Sequence, residues 1–251
     1  MNWIKALIFT LLAACTTTLR PTELQEYKQT SAMVSDKTQS RGGSGVIYKS
    51  GKESIVLTNK HVCNSLEAGG FVWIVVDFPQ STNKSYPIKA FKVSAQHDLC
   101  AVLVAANLSV NTTLSSGPPK EYDMAFVSGH PALFPNVTSQ GYVVGDYEAE
   151  LVLGYRECTE EEMKKDPIAC MIEGYPVTIK YKANLVTALI TGGSSGSAVF
   201  NRAGEIIGLV FAGYGGGLSY ALVVPWENLN TFVTDEINAL KWVAPKTKVE
   251  K

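Results

Sequence analysis

The chain has 251 residues, of which 46% are hydrophobic and 18% are charged, and its formal net charge is −1. This composition is typical of an ordinary globular protein and excludes a largely disordered chain. Lysine and arginine are scattered along the sequence, so the basic stripe that a phosphate backbone requires is missing. We therefore exclude nucleic acid as a partner.

The first fifteen residues are arranged like an export signal. Nine residues with a single polar member separate Lys5 from Cys15. This run is too short to span a bilayer. The LAA that precedes Cys15 resembles the bacterial lipoprotein signal, in which cleavage before the cysteine leaves a lipidated N-terminus. We predict such a signal over 1–15 and a membrane anchor on Cys15; an ordinary secreted protein cleaved nearby is the alternative.

The next segment, 16–38, is polar and has no sustained apolar period, which is typical of a tether. Short apolar runs that are rich in Val, Ile, Phe and Tyr then alternate with turn residues, and this pattern predicts strands over about 43–106 and about 121–225. Residues 107–120 are rich in Asn, Ser, Thr, Gly and Pro and read as a connector between two β subdomains.

Helical spacing of apolar residues occurs only over 226–241. The sequence therefore predicts an all-β domain over 39–241, built as two barrels or a sandwich and followed by a C-terminal helix. The last ten residues, 242–251, read as a frayed tail.

Four cysteines remain once Cys15 is set aside, and an even number in an exported chain indicates two disulfides with three possible connectivities. They are Cys63, Cys100, Cys158 and Cys170. The chain has no HExxH and no CxxC motif, and its three histidines are far apart in sequence. We predict no metal and no cofactor.

The candidate nucleophile is Ser195, in the glycine-rich segment GSSGS. Alone this motif is weak, because a plain Gly/Ser turn is an equally good explanation. A serine nucleophile needs a base and the base needs an orienting carboxylate. His61 ends one apolar run, and Asp98 precedes another. The order His, Asp, Ser is that of the chymotrypsin-type fold and disfavours subtilisin-like and α/β-hydrolase readings.

With these residues in place, the chain resembles the trypsin-like serine peptidases, most closely the bacterial HtrA/Deg branch, over roughly Gly43 to Pro225. The matching segments are GGSGVIY at the first strand, LTNKHV around His61, HDLCAVLV around Asp98, YDMAFVSGHP and SQGYVVG at the start of the second half, GGSSGSAVFNRAGEIIGLV around Ser195 and YALVVP before the helix. The resemblance implies two six-stranded antiparallel β-barrels and a serine endopeptidase that acts on proteins or peptides.

The same resemblance implies the roles of the site residues. Ser195 attacks the peptide carbonyl, His61 transfers the proton, and Asp98 orients the imidazole. The backbone N–H groups of Gly193 and Ser195 form the oxyanion hole. His97, which adjoins Asp98 in the sequence, is the alternative base. His130 lies where the family carries Gly-Asn-Pro, and we expect a surface turn residue there.

For the pocket that receives the side chain before the cleaved bond, the resemblance implies Leu189 at the floor. The walls are implied to come from Phe211, Ala212, Gly213 and the glycines at 215–217. No carboxylate occurs over 186–193. An unpaired cation would be costly there, so we expect cleavage after small or medium apolar residues.

Because Cys63 and Cys100 each lie two residues after a triad residue, a folded triad brings them together, and we expect them to pair. Cys158 and Cys170 would then close the small loop between them. The chain departs from the HtrA branch because it ends soon after the predicted helix, so we expect no PDZ domain. A catalytically inactive, protease-like binding module is the alternative function.

Overall fold

A computed structural model of the chain describes residues 21–66, 69–74, 84–167, 170, 175–214 and 220–246. The predicted signal segment 1–15, with Cys15, and the glycines at 215–217 lie outside these residues. Among the helices that the structure describes, none is long and apolar enough to cross a membrane.

The first half of the chain forms a closed β-barrel of six strands. These are β1 (Ser31–Ser35), β2 (Gly42–Lys49), β3 (Ser54–Thr58), β4 (Phe71–Ile74), β5 (Lys84–Val93) and β6 (Cys100–Val104). They follow one another in the order β1-β2-β3-β6-β5-β4, and every neighbouring pair is antiparallel. Strand β6, CAVLV, is buried along its whole length, as its β-branched and aliphatic side chains favour.

The second half forms a second closed barrel of six antiparallel strands. These are β7 (Met124–Gly129), β8 (Val137–Arg156), β9 (Tyr175–Thr187), β10 (Ala198–Phe200), β11 (Ile206–Tyr214) and β12 (Tyr220–Val224). Their order around the barrel is β10-β11-β12-β9-β8-β7. The prediction of two six-stranded barrels with a C-terminal helix is confirmed.

Apolar side chains fill each barrel and also the space between the barrels. One cluster of buried residues joins Leu57 and Ala101 of the first barrel to Phe126 and Leu209 of the second. Burial of this shared surface is the main force that holds the barrels together. It brings the ends of β3, β6 and β10 to the same side of the molecule, where the candidate site lies.

The predicted tether is wrong in its C-terminal part, because the ordered fold begins well before residue 38. A helix, α1 (Pro21–Thr30), lies on the second barrel, and its Tyr27 ring stacks on Phe126 and Phe200 with centroid distances of 5.2 and 5.1 Å. Strand β1 follows at once and pairs with β2 and β4 of the first barrel. The segment is polar overall but buries one aromatic ring and one short strand, and that is too little for an apolar period to show.

The C-terminal helix is continuous over 226–239, with α4 (Trp226–Thr231), a π-helical turn (Phe232–Glu236) and α5 (Ile237–Ala239). The prediction of a frayed tail from residue 242 is wrong for the first residues of that segment. Val243 exchanges two backbone hydrogen bonds with Phe91, of 2.8 and 2.9 Å. The Lys92 ammonium lies 4.6 Å from the Trp242 ring centroid and donates to the Ile237 carbonyl. Chain after the helix is thus held against β5.

The long hairpin of β8 and β9 extends beyond the second barrel and ends in a short helix, α3 (Glu160–Lys165). Thr159 caps α3 through a capping box with Glu162, and Arg156 binds the same carboxylate through both terminal nitrogens, at 2.7 and 2.9 Å. The Cys158–Cys170 disulfide closes this hairpin tip, as predicted.

Candidate active site

The serine loop, residues 192–196, is a tight backbone turn that leads into β10. Gly193 and Gly196 both have φ of +86°, a conformation that residues with a Cβ rarely adopt. A Cβ on Gly196 would overlap the Ser44 carbonyl oxygen and the Thr58 hydroxyl. Gly196 is therefore required by the close approach of the first barrel, whereas a Cβ on Gly193 would meet the backbone of residues 130–133.

Ser44 on β2 holds the serine loop from the side of the first barrel. Its N–H donates to the Ser195 carbonyl at 2.6 Å, and its hydroxyl donates to the Gly193 carbonyl at 2.8 Å. The Thr58 hydroxyl donates to the Ser44 carbonyl at 2.7 Å, which keeps β2 and β3 in register beneath the loop. The loop conformation consequently depends on the assembly of both barrels.

His61 and Asp98 meet at the end of the first barrel. His61 lies in the first turn of α2 (Lys60–Ser65), directly after β3, and Asp98 lies in the bend before β6. Asp98 Oδ2 is 2.7 Å from His61 Nδ1, and Asp98 Oδ1 accepts the His61 backbone N–H at 3.0 Å. Because a carboxylate accepts, Nδ1 carries a proton, and in the neutral imidazole Nε2 is then the acceptor. The side chains are 49% and 22% exposed, so this imidazole can reach a ligand.

Two further side chains fix the backbone of Asp98. The Asn59 amide donates to the Asp98 carbonyl at 3.0 Å, and the Tyr181 hydroxyl accepts the Asp98 N–H at 3.2 Å. Tyr181 comes from β9, so the base of the long hairpin reaches the first barrel at this point. Burial raises the pKa of Tyr181, which keeps its hydroxyl protonated.

The disulfide Cys63–Cys100 joins α2 to β6, two residues after His61 and two after Asp98. Both cysteines are buried. This pairing was expected from the resemblance, and the structure has it. It links the two segments that carry the imidazole and the carboxylate.

Ser195 and Val62, the residue after His61, both approach Gly43 of β2. A Cβ placed on Gly43 would lie 2.5 Å from the Ser195 carbonyl oxygen and 2.8 Å from Val62, the neighbour of His61. The Ser195 hydroxyl is 3.4 Å from the Phe211 carbonyl and makes no direct hydrogen bond to His61 among the described residues. Hydrogen bonds between catalytic groups are often long without substrate and shorten in the complex.

The oxyanion candidates are the N–H groups of Gly193 and Ser195. Neither donates to a protein acceptor in the part of the chain that the structure covers. The Gly192 carbonyl accepts the Ala132 N–H. Since C=O and N–H point in opposite directions in a trans peptide, this contact turns the Gly193 N–H away from Ala132. Two N–H groups are thus available next to the Ser195 hydroxyl.

The structure does not support Leu189 as the floor of a pocket, because its side chain is 57% exposed. Its neighbour Ile190 is only 6% exposed, and its Cδ1 lies 3.0 Å from where a Cβ of Gly213 would be. The apolar side chain that is buried in this segment is thus that of Ile190 and not that of Leu189. The residues predicted as pocket walls lie on β11, where Phe211 is buried, Ala212 is half-buried and Gly213 is exposed, and their role in a pocket stays a prediction.

His130 also differs from expectation, since it is 1% exposed and not a surface turn residue. Its Nδ1 is 3.0 Å from the Phe134 carbonyl, and its Nε2 is buried without a hydrogen-bond partner. Burial lowers its pKa from the ordinary 6.5 to about 4. The segment SGHPALFP forms a turn as expected, but tertiary packing buries the ring within it.

His97, the alternative base, makes no side-chain contact with Asp98 that the structure records; its backbone N–H donates to Ser94 at 3.1 Å. The Asp98 carboxylate binds His61 instead. Over the residues with a described position, no three His, Cys, Asp or Glu side chains are grouped as metal ligands.

Two closed six-stranded β-barrels with a paired histidine and aspartate and a serine in a glycine turn have the architecture of the trypsin-like peptidases. The family model of the trypsin-like peptidase domain matches residues 43–209, more than half of the chain. The chain belongs to this family.

Solved structures with the same fold include the active form of the Rv3671c protease from M. tuberculosis, at a TM-score of 0.63 and 15% identity, covering 91% of this chain and 89% of that one. The MamO protease domain from Magnetospirillum magneticum matches with a TM-score of 0.58 and 16% identity, covering 84% of this chain and 98% of that one. The serine endoprotease from Yersinia pestis matches with a TM-score of 0.58 and 18% identity, covering 88% of this chain and 68% of that one. At these identities the likeness shows the fold alone.

Proposed function

We propose that the protein is a serine endopeptidase with His61, Asp98 and Ser195 as its catalytic triad. The observation that carries this proposal is the 2.7 Å contact between His61 Nδ1 and Asp98, which makes Nε2 the acceptor nitrogen of the neutral imidazole. A neutral imidazole nitrogen held in this way is a suitable general base for a serine hydroxyl.

In the proposed reaction, Ser195 Oγ attacks the peptide carbonyl while His61 Nε2 takes its proton. The N–H groups of Gly193 and Ser195 stabilise the negative oxygen of the tetrahedral intermediate. His61 then donates the proton to the leaving amine, and an acyl-enzyme remains. Water, deprotonated by the same imidazole, releases the product acid.

An inactive binding module is the second candidate, because the Ser195 hydroxyl faces the Phe211 carbonyl and is not bonded to His61. Labelling with a fluorophosphonate probe separates the two. We expect the wild-type protein to be labelled and the Ser195→Ala variant to be unlabelled, with equal melting temperatures. A folded wild-type protein that neither labels nor cleaves peptides would support the binding module.

We propose cleavage after small apolar residues, such as Ala and Val. Ile190 fills space next to Gly213, and residues 186–193 supply no carboxylate for a basic side chain. A peptide library read by mass spectrometry tests this. Ile190→Ala should shift the preference towards larger side chains by about 10-fold or more, since one methylene is worth about 1–3 kcal/mol in such a pocket. Dominant cleavage after Arg or Lys would contradict the pocket assignment.

We also propose that the protein is exported. Two disulfides support this, since disulfides persist in oxidising compartments. The membrane anchor on Cys15 rests on the sequence pattern alone. Phase partitioning of the full chain in detergent tests the anchor: wild type should enter the detergent phase, whereas Cys15→Ser should remain in water. A wild-type mature form that begins at another residue and stays in water would exclude it.

A further inference from the structure

The His130 turn, residues 130–134, contacts the serine loop both directly and through Ser44 of the first barrel. The Ala132 N–H donates to the Gly192 carbonyl, and the His130 N–H donates to the same Ser44 hydroxyl that binds the Gly193 carbonyl, at 2.7 Å. A Cβ on Gly193 would lie 2.8 Å from the His130 carbonyl oxygen. Backbone groups of the turn therefore contact both ends of the Gly192–Gly193 peptide.

This turn has an unfavourable backbone. Ala132 and Leu133 have φ of +52° and +57°, in the left-handed region that residues other than glycine seldom occupy. Such a conformation persists only where surrounding contacts impose it, and it often occurs at functional sites. The Leu133 N–H donates to the His130 carbonyl at 3.0 Å, and the His130 ring reaches across the turn to the Phe134 carbonyl.

The chemistry of the ring contact determines the tautomer of His130. A carbonyl oxygen only accepts, so Nδ1 must carry the proton that it donates to Phe134. Nε2 is then an acceptor, buried with no donor. An aliphatic side chain would fill the space without leaving a buried polar atom unpaired, which is costly. What the imidazole adds over such a side chain is the Nδ1 hydrogen bond that closes the turn.

We propose that His130 is a positioning residue of the peptidase site: its ring closes the turn, and the turn orients the Gly192–Gly193 peptide so that the Gly193 N–H faces the oxyanion. This inference rests on the proposed function. His130 does not touch the substrate or the triad; it acts through Ala132 and Gly192.

Three substitutions separate this role from packing. In His130→Asn the amide nitrogen can take the position of Nδ1 and donate to Phe134. In His130→Gln the amide lies one bond farther out, near the position of Nε2, and His130→Leu has no donor. Each variant is compared with wild type by kcat per active site titrated with a fluorophosphonate, by KM, and by the affinity for a peptide boronate, a mimic of the tetrahedral intermediate.

We expect His130→Asn to keep kcat within about threefold of wild type. His130→Gln and His130→Leu should lose about 10- to 100-fold in kcat, below the full loss of an oxyanion donor, with KM changed less than about threefold. Boronate affinity should fall in parallel with kcat, because both depend on the tetrahedral state. If His130→Leu does not fold, the comparison of His130→Gln with His130→Asn still tests the positioning role.

Equal kcat per titrated site in His130→Gln and wild type would overturn the positioning role, as would equal losses in Asn, Gln and Leu. Failure of the proposed function looks different: the wild-type protein itself would neither react with the fluorophosphonate nor cleave peptides, although folded.

Discussion

The serine loop and the hairpin tip are both turns between strands of the second barrel, but they are stabilised in opposite ways. The serine loop is held by partners far away in sequence, such as Ser44, 149 residues from Gly193. The hairpin tip is held by near neighbours: Thr159 with Glu162, Arg156 with Glu162, and a disulfide between cysteines 12 residues apart. The loop is therefore a product of the whole assembly, whereas the tip could form from its own segment. Changes at the loop should affect activity and stability together, and changes at the tip should affect neither strongly.

The largest effect is expected from Gly196→Ala. The new methyl group would overlap the Ser44 carbonyl in a backbone conformation that alanine avoids, so the loop and β2 must separate. We expect a loss of more than about 3 kcal/mol in the free energy of unfolding and no fluorophosphonate labelling. Urea unfolding and the labelling assay measure both.

The matched control is Gly192→Ala in the same loop, because a Cβ there meets no other residue within 4 Å. Its free energy of unfolding should stay within about 1 kcal/mol of wild type. Similar stability of the two variants would contradict the view that contact with the first barrel shapes the loop.

Low pH should destabilise the folded protein through His130, whose turn contacts the serine loop. The pKa of His130 is lowered by burial from 6.5 to about 4, so between these values the unfolded chain binds a proton that the folded chain does not. The contribution of His130 to the free energy of unfolding is therefore complete above pH 6.5. It falls by about 3 kcal/mol in total as the pH drops to about 4. Urea unfolding at pH 7 and pH 4 measures it, and His130→Asn, which has no titrating group, should lose that much less stability. If the free energy of unfolding of wild type and of His130→Asn depended on pH in the same way, His130 would not be the group responsible.

A smaller effect is expected where the base of the hairpin meets the triad. Tyr181→Phe removes the hydroxyl that accepts the Asp98 N–H but keeps the ring against Phe211, with centroids 4.9 Å apart. One hydrogen bond of about 1 kcal/mol corresponds to a loss of about fivefold in kcat. Tyr86→Phe, on β5 in the first barrel, is the control and should match wild type. A wild-type rate in Tyr181→Phe would show that the hydroxyl does not position Asp98.

The smallest effect on activity is expected at the hairpin tip. The double variant Cys158→Ser, Cys170→Ser should keep kcat/KM within about twofold, although the tip should become easier to cleave by added proteases. The double variant Cys63→Ser, Cys100→Ser should lose much more of its kcat/KM, because that disulfide joins the segments of His61 and Asp98. Equal losses in the two double variants would contradict the separation between loop and tip.

The pattern of apolar runs predicted two β subdomains and a final helix, since alternating short strands and a 3.6-residue period are properties of neighbouring residues. The same reasoning misplaced the N-terminal boundary, because α1 and β1 are ordered by partners in both barrels. The resemblance placed Leu189 at a pocket floor, but Leu189 is exposed and its neighbour Ile190 is buried, because burial in this segment is decided by packing against the barrel. The triad and oxyanion assignments remain predictions that the labelling and kinetic experiments test.

The sequence by itself determined the family and the identity and order of the candidate catalytic residues, because these follow from motifs. The cysteine pairing followed only once the resemblance supplied a fold, since Cys63 and Cys100 are 37 residues apart. Only the tertiary structure showed that His130 is buried beneath the serine loop, that Ser44 bridges the barrels, and that Tyr181 reaches Asp98. Each of these contacts joins segments about 60 to 150 residues apart, and burial and hydrogen bonding at such distances depend on how two closed barrels pack, which no local pattern encodes.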